Sequence, residues 1–308
     1  MTPGTEFPSI NLGNTVALPD GSGTRTAKRL APENAKQVAK SALRRFGAAT
    51  SSRRRLPDVL LIGAKRSGST SLHNYLLQHP QVAPLFPRAA HVKGAHYFDR
   101  NPTKPLSWYR SFGPIDVPGR HRVTVDGSPY YFIHPSAPYH AAATLADARV
   151  VVLLREPATR ALSQYWDEVK LGRETLSFAD ALEAEPERLT GEVDRILADP
   201  GYYSEVHEHL SYALWGRYAE HLERWLDAFG RDRVLVIRSE DMFGDPGTTF
   251  RRVTDFIGID PAEPSAYSRF NSATRPDDLE PVLASLRGSF AEPNKQLAEL
   301  LDTDVWWV

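Results

Sequence analysis

The stretch "GAKRSGST", residues 63–70, follows the apolar run from Val59 to Ile62 and precedes a helical pattern. It comes close to the nucleotide-binding pattern G-x-x-x-x-G-K-[ST], which puts a lysine directly after the second glycine. Here Ser69 stands in that place, and the cations Lys65 and Arg66 lie inside the loop. A strand-loop-helix unit turns free backbone N–H groups toward one point, and the helix dipole adds positive potential there. Gly63 and Gly68 permit tight turns, Ser69, Thr70 and Ser71 add hydroxyl donors, and Lys65 and Arg66 add charge. Together they make a cradle for one phosphate-like group. The plain alternative is a Gly-Ser turn with exposed cations; a buried strand before it and a helix after it favour the cradle.

Outward from this loop, apolar strands alternate with helices. "HRVTVDGSP" reads as a strand ending at Asp126-Gly127, "ARVVVLLREP" as the clearest strand, and "DRVLVIRSEDM" as another. "STSLHNYLLQHP" reads as a helix stopped by Pro80, and "ATRALSQYWDEVKLG" as one running to Gly172. Residues 205–229 are expected to form one long amphipathic helix with Leu210, Leu214, Tyr218, Leu222, Trp225 and Leu226 on its buried face. "TTFRRVTDFIGI" predicts a helix, and "EPVLASLRGSFAEPNKQLAELL" predicts two, broken at Pro293. The alternation predicts an α/β fold: a single three-layer, P-loop-like domain with a central, mainly parallel sheet flanked by helices. In such sheets ligands bind at the C-terminal ends of the strands. Two loops there carry cations, 63–71 and 155–163.

Residues 1–55 are rich in Gly, Pro, Ser and Thr, then turn basic and end in Arg53, Arg54 and Arg55. They are expected to be a basic, partly flexible extension before a domain at 56–308. Within it, "PENAKQVAKSALRRFG" has helical spacing and a glycine stop. A nucleic-acid arm is the alternative, but no aromatics interleave the charges, so a solvated tail packed loosely on the domain is expected. The 308-residue chain has 41% hydrophobic and 24% charged residues and a formal net charge of -1, as an ordinary globular protein does. It has no cysteine, which excludes disulfides, thiolate catalysis and Cys-ligated zinc. No apolar run is long enough for a membrane span, and "MTPGTEFPSINLGN" lacks the features of a secretory signal. The expectation is a cytoplasmic protein with no nucleic-acid or membrane partner.

In "LLREPATRALSQY", Arg155 directly follows a strand, Pro157 is placed to open a helix, and Ser163 lies two helical turns on. Taken alone, Arg155 reads as a surface ion-pair partner. A second anion site on the same sheet edge as the first suggests a ligand with two separated phosphates.

These residues resemble a family, the sulfotransferases that use 3'-phosphoadenosine 5'-phosphosulfate (PAPS). "IGAKRSGSTSLHNYLLQHP" is similar to their 5'-phosphosulfate loop and "RVVVLLREPATRALSQY" to their 3'-phosphate motif; "FAEPNKQLAELLDTDVWW" resembles the C-terminal helix of the heparan sulfate 3-O-sulfotransferase branch and its bacterial relatives. The resemblance covers about residues 57–308. It implies PAPS as donor, PAP as product and no metal. It implies that Arg66 stands where most members place lysine and stabilises the leaving group. It further implies that Lys65, Ser67, Gly68, Ser69, Thr70 and Ser71 hold the 5'-phosphate, and Arg155 and Ser163 the 3'-phosphate.

On the acceptor side the pattern breaks. The branch carries a base glutamate in a segment like "KEPHFFD"; here "KGAHYFD" puts Gly94 at that position. The relatives' "EKTPAYF" reads "DGSPYYF", so Gly127 replaces a lysine near the acceptor. His96 is the first candidate for the base, since imidazole titrates near neutral pH, with His91 and Asp126 as runners-up. His91, Lys93 and Asp126 are expected to line the acceptor pocket. A polyanionic glycan would want basic residues there and one is missing, so a small metabolite or antibiotic-like alcohol fits better. The expected reaction is sulfonate transfer from PAPS to a hydroxyl or amine of a small-molecule or carbohydrate acceptor. The alternatives are a P-loop-type nucleotide kinase, or a protein that binds PAP or PAPS without catalysis.

Overall fold

Five short strands pair into one sheet in the order β2-β3-β1-β4-β5, all neighbours parallel, in a computed structural model that describes residues 33–85, 92–119, 122–268 and 279–307. They are β1 (Val59–Gly63), β2 (Val82–Pro84), β3 (Val123–Asp126), β4 (Arg149–Leu154) and β5 (Val234–Arg238). Four of them are the apolar runs read in the sequence; β2, three residues long, has no such run of its own. Successive side chains on a strand point to opposite faces, so each central strand feeds two layers. Leu60, Ile62, Val150, Val152 and Leu154 enter one core with Tyr131, Phe132, Trp215 and Trp225. Val59, Leu61, Val151 and Leu153 enter the other with Leu72, Phe250 and Val253.

The helices in chain order are α1 (Glu33–Ala49), α2 (Ser69–Leu76), α3 (Tyr97–Arg100), α4 (Leu106–Arg110), α5 (Ala137–Thr144), α6 (Pro157–Lys170) and α7 (Phe178–Arg188). There follow α8 (Glu192–Ala198), α9 (Glu205–His209), α10 (Tyr218–Phe229), α11 (Ser239–Gly244), α12 (Pro246–Ile257), α13 (Glu280–Ser289) and α14 (Ala291–Leu301). No helix among the described residues is long and apolar enough to cross a membrane. From β1 the chain runs outward to β2 and back to β3, then crosses to β4 on the other side of β1. The winding direction reverses between β1 and β4, which opens a crevice at their C-terminal ends.

Three local expectations are corrected. Residues 205–229 are not one helix: α9 ends at His209, and α10 starts at Tyr218. The backbone between is claimed by buried side chains instead of by helical bonds. Glu185 accepts the N–H groups of Tyr212, Ala213 and Leu214, each at 2.8 Å. Arg160 donates to the Tyr212 carbonyl at 2.5 Å, and Gln164 donates to the carbonyls of His209 and Ser211 at 3.0 and 2.9 Å. The last pair of helices breaks at Phe290, and Pro293 sits in the first turn of α14, where its missing N–H costs no helical bond. Gly47 does not stop α1. A Cβ there would lie 2.6 Å from the Ser111 carbonyl oxygen, so the glycine serves a close approach to the end of α4. Arg44 of the same helix covers the Phe112 ring at 4.0 Å.

Glu185 tests this account of the break. It is 4% exposed, and its burial raises its pKa while three backbone donors oppose the rise. Glu185→Ala leaves three N–H groups without their acceptor and the buried Arg160 without its neighbouring charge. We expect a loss of about 3 kcal/mol or more, read as a lower urea midpoint. An unchanged midpoint would show that the carboxylate does not organise residues 212–214.

Candidate active site

The loop after β1 turns tightly against the sheet edge. Arg66 and Gly68 have φ of 68° and 93°, and the Ala64 N–H bonds the Leu153 carbonyl at 2.6 Å, holding the loop against the end of β4. Gly68 precedes α2 and offers its N-terminus no side-chain cap, so the N–H groups of Ser69 and Thr70 are placed to meet an anion. A Cβ at Gly68 would meet Met242 at 2.7 Å, so the loop is wedged under α11. Ser239 of that helix donates to the Ser67 carbonyl at 2.5 Å. Ser67 itself is fully buried, and its hydroxyl has no partner among the described residues. Ser69 and Ser71 are buried too.

The second loop follows β4 and meets the first directly. Arg155 donates to the Arg66 carbonyl at 3.2 Å, and Arg66 Nε donates to Ser163 Oγ at 3.1 Å. Arg66 also faces Asp167 at 3.4 Å. The N-terminus of α6 is capped by its own Glu156, which accepts from Ala158 and Thr159 at 2.9 and 2.8 Å. The first loop thus presents open backbone donors, whereas the second presents side chains. Lys65 points elsewhere: its ammonium sits 2.5 Å from Glu168 of α6 and 3.2 Å from His209. Burial lowers the Lys65 pKa, against the pull of Glu168 and Glu208.

The segment 93–99 closes the site from the β3 side. Lys93 Nζ donates to Ser69 Oγ at 2.9 Å, at the first residue of α2. Burial pushes the Lys93 pKa down to about 7, with Asp126 opposing. Asp126 is fully buried and takes four donors: Ala95 N–H and Ser128 on one oxygen, Tyr109 and Tyr131 on the other. This makes it the clasp between β3 and the segment. A Cβ at Gly94 would lie 2.2 Å from Ser128 Oγ and 2.7 Å from Asp126 Oδ1. Position 94 therefore has no room for a side chain.

His96, at φ 51°, bonds Asp99 Oδ2 through Nδ1 at 2.8 Å, and among the described residues Nε2 has no partner. Positive φ at Arg66 and His96 is a conformation that non-glycine residues rarely hold without surrounding support, and such strain clusters at working sites. Burial alone would lower the His96 pKa, but Asp99 outweighs it and the net shift is upward. Beyond Asp99 a charged chain runs back to the first loop. Arg100 pairs with Glu208, whose carboxylate also accepts from Tyr203; Tyr203 meets His209, and His209 and Lys65 both meet Glu168. Burial works to raise the pKa of Glu208, but Arg100, His209 and His96 hold it at about 2.

The structure thus gathers Arg66, Arg155 and Ser163 at one point and brings Lys93 to Ser69. Gly68 ends the first loop and Thr70 lies in the first turn of α2. His91 lies outside the described residues. The sequence reading assigned no role to Asp99, Ser239 or Ser128. Asp99 carries a signal in hindsight, three residues after His96. Ser239 carries another, the first residue after a strand at the ligand-binding edge of the sheet.

Residues 56–274 match the family model of the sulfotransferase domain. Human heparan sulfate glucosamine 3-O-sulfotransferase 6 is 31% identical over 71% of this chain and 57% of its own length. Mouse heparan sulfate glucosamine 3-O-sulfotransferase 3B1 is 32% identical over 67% of this chain and 47% of its own length. The chain spans about half the length of the curated relatives it matches. A solved sulfotransferase from Alicyclobacillus acidocaldarius superposes with a TM-score of 0.61 at 26% identity, covering 81% of this chain and 97% of that one.

The closed packing at position 94 predicts the effect of a single methyl group. Gly94→Ala should cost about 1–3 kcal/mol of stability, because neither Ser128 nor Asp126 can retreat without breaking the clasp. Equilibrium unfolding measures it; wild-type stability would mean that the segment slides freely on β3.

Proposed function

The chain belongs to the sulfotransferase domain family, and on that premise we propose that it transfers the sulfonate group of PAPS to a hydroxyl or amine of a carbohydrate or small-molecule acceptor, releasing PAP. The observation that carries this reading is the direct contact between the two anion loops, through Arg155, Arg66 and Ser163. A donor with a 5'-phosphosulfate and a 3'-phosphate offers an anion to each loop. ATP carries nothing at the 3' position for the second. The buried, partnerless Ser67 hydroxyl fits a group that a ligand oxygen satisfies.

In this reading the open N-terminus of α2, with Ser67 to Ser71, binds the 5'-phosphate, and Arg155 and Ser163 bind the 3'-phosphate. The acceptor oxygen or nitrogen attacks sulfur in line, the bond from sulfur to the phosphate oxygen of PAP breaks, and its electron pair leaves with PAP. Positioning supplies much of the rate. Arg66 meets the negative charge that grows on the leaving oxygen. His96 takes the acceptor proton on Nε2, while Asp99 holds Nδ1 and fixes the ring. Asp126 positions the segment, its oxygens being occupied by four donors.

The human and mouse relatives named above are heparan sulfate glucosamine 3-O-sulfotransferases. In the charged chain beyond Asp99 the cations are already matched, Arg100 by Glu208 and Lys65 by Glu168. That balance suits an acceptor of low charge better than a polyanionic chain.

Two experiments test the reading. PAP without metal should raise the melting temperature, and Arg155→Ala should weaken PAP binding by about 1.5–3 kcal/mol in calorimetry. Stabilisation by Mg-ATP and not by PAP would sink the assignment. PAP binding with no labelled product from radiolabelled PAPS across alcohols, amines and sugars would reduce the protein to a binder.

The second experiment is a pH profile. His96 must be neutral to accept a proton, and its pKa is raised above 6.5, so turnover should fall as pH drops through a limb above 6.5. Asp99→Asn removes the group that raises it and should move that limb to lower pH. His96→Gln should cut turnover by about 10²–10⁴-fold and abolish the limb. A limb that survives in His96→Gln assigns the proton to another group.

A further inference from the structure

Gly127 has a spatial counterpart to its missing side chain. A Cβ built there would lie 2.6, 3.0 and 2.9 Å from Cγ, Cδ and Cε of Lys93. The lysine stem lies across the bare backbone of Gly127, and the Gly127 N–H bonds the Lys93 carbonyl at 3.0 Å. A side chain at 127 and this path for Lys93 exclude each other. The stem delivers the ammonium to Ser69 Oγ, at the N-terminus of α2, where the Ser67 hydroxyl is buried without a partner among the described residues.

Resting on the sulfotransferase reading, we propose that Lys93 is the cation that contacts the transferring sulfonate, supplied from residue 93 over Gly127 instead of by a side chain at 127. Two further observations support it. Among the described residues no carboxylate lies within ion-pair distance of Lys93, and the one hydrogen bond recorded for its ammonium is to a hydroxyl. A partly buried ammonium with only a hydroxyl partner is poorly compensated until an anion arrives, which agrees with its depressed pKa of about 7. The second observation is the pairing of the glycines. Gly94 lets the segment lie flat on Asp126 and Ser128, and Gly127 lets Lys93 cross. Both departures from the related sequences then belong to one arrangement. The sulfonate oxygens gain a nearby positive charge as the S–O bond to PAP breaks.

The test uses the full chain, with water as the acceptor so that no acceptor need be known: PAP release from PAPS, alongside calorimetric binding of PAP, which lacks the sulfonate. Lys93→Met should slow PAP release about 100-fold or more while PAP affinity stays within about threefold. In a Lys93→Ala background, Gly127→Lys has room, and the double variant should run at least about tenfold faster than Lys93→Ala. Lys93→Met with wild-type release overturns the proposal. So does a loss of PAP affinity as large as the loss of rate, which would make Lys93 a phosphate ligand. A folded double variant no faster than Lys93→Ala overturns the equivalence of the two positions, and the single variant decides the role even if the double does not fold. The failure of the broader reading looks different: there, wild type itself releases no PAP from PAPS, whether or not it binds PAP.

Discussion

The parallel pairing of β1 with β4 is the constraint on which the site depends. Those strands are the middle of the sheet, packed on both faces, and they end side by side where the winding reverses. The bond from Ala64 to Leu153 carries the pairing one residue past β1 and sets the height at which the first loop leaves the sheet. Arg155 leaves from the neighbouring strand one residue after Leu154, so its guanidinium reaches the Arg66 carbonyl without a long excursion. In the proposed function the ligand's two anions need their two receptors at a fixed spacing. Adjacent strands supply it more rigidly than side-chain packing alone.

Around that core, much of the chain is organised by buried polar side chains that replace local secondary structure. Glu185, Arg160 and Gln164 hold residues 209–214 out of a helix. Asp126 does the same for the segment at 93–96, which has no ladder of its own to join. In each case a carboxylate, guanidinium or amide satisfies backbone groups that regular structure would have paired. The arrangement frees irregular backbone to enter the site, and it makes the site sensitive to the loss of residues that touch no ligand.

The parallel sheet and the two loops at its C-terminal edge were legible in the sequence because their signals are local. Val59 to Ile62 and Val150 to Leu154 announce buried strands by composition, and Gly63, Gly68 and Pro157 mark the turns that follow. The break between α9 and α10 was illegible for the opposite reason. Residues 210–226 do keep helical spacing, and what interrupts them arrives from Glu185, far away in the chain. The acceptor side shows the same limit. Gly94 and Gly127 read as two separate losses, and only their contacts with Asp126, Ser128 and Lys93 show them to be filled space. The outward course of Lys65 to Glu168 was likewise hidden, since nothing near Lys65 in sequence names a partner on α6.

The occupied space beneath Gly94 bears on how such a pocket changes over generations. Glutamate cannot enter at 94 while Ser128 and Asp126 stand where its first carbon would go. Asp126 in turn cannot leave while Tyr109, Tyr131 and the Ala95 N–H depend on it. A lineage moving between the two arrangements must alter several of these positions together, or pass through a form whose clasp is open. Proteins of this fold that differ at position 94 can therefore be parted by a ratchet at this end of β3. Exchanging the whole segment with its facing strand end is an easier path between them than exchanging residues one at a time.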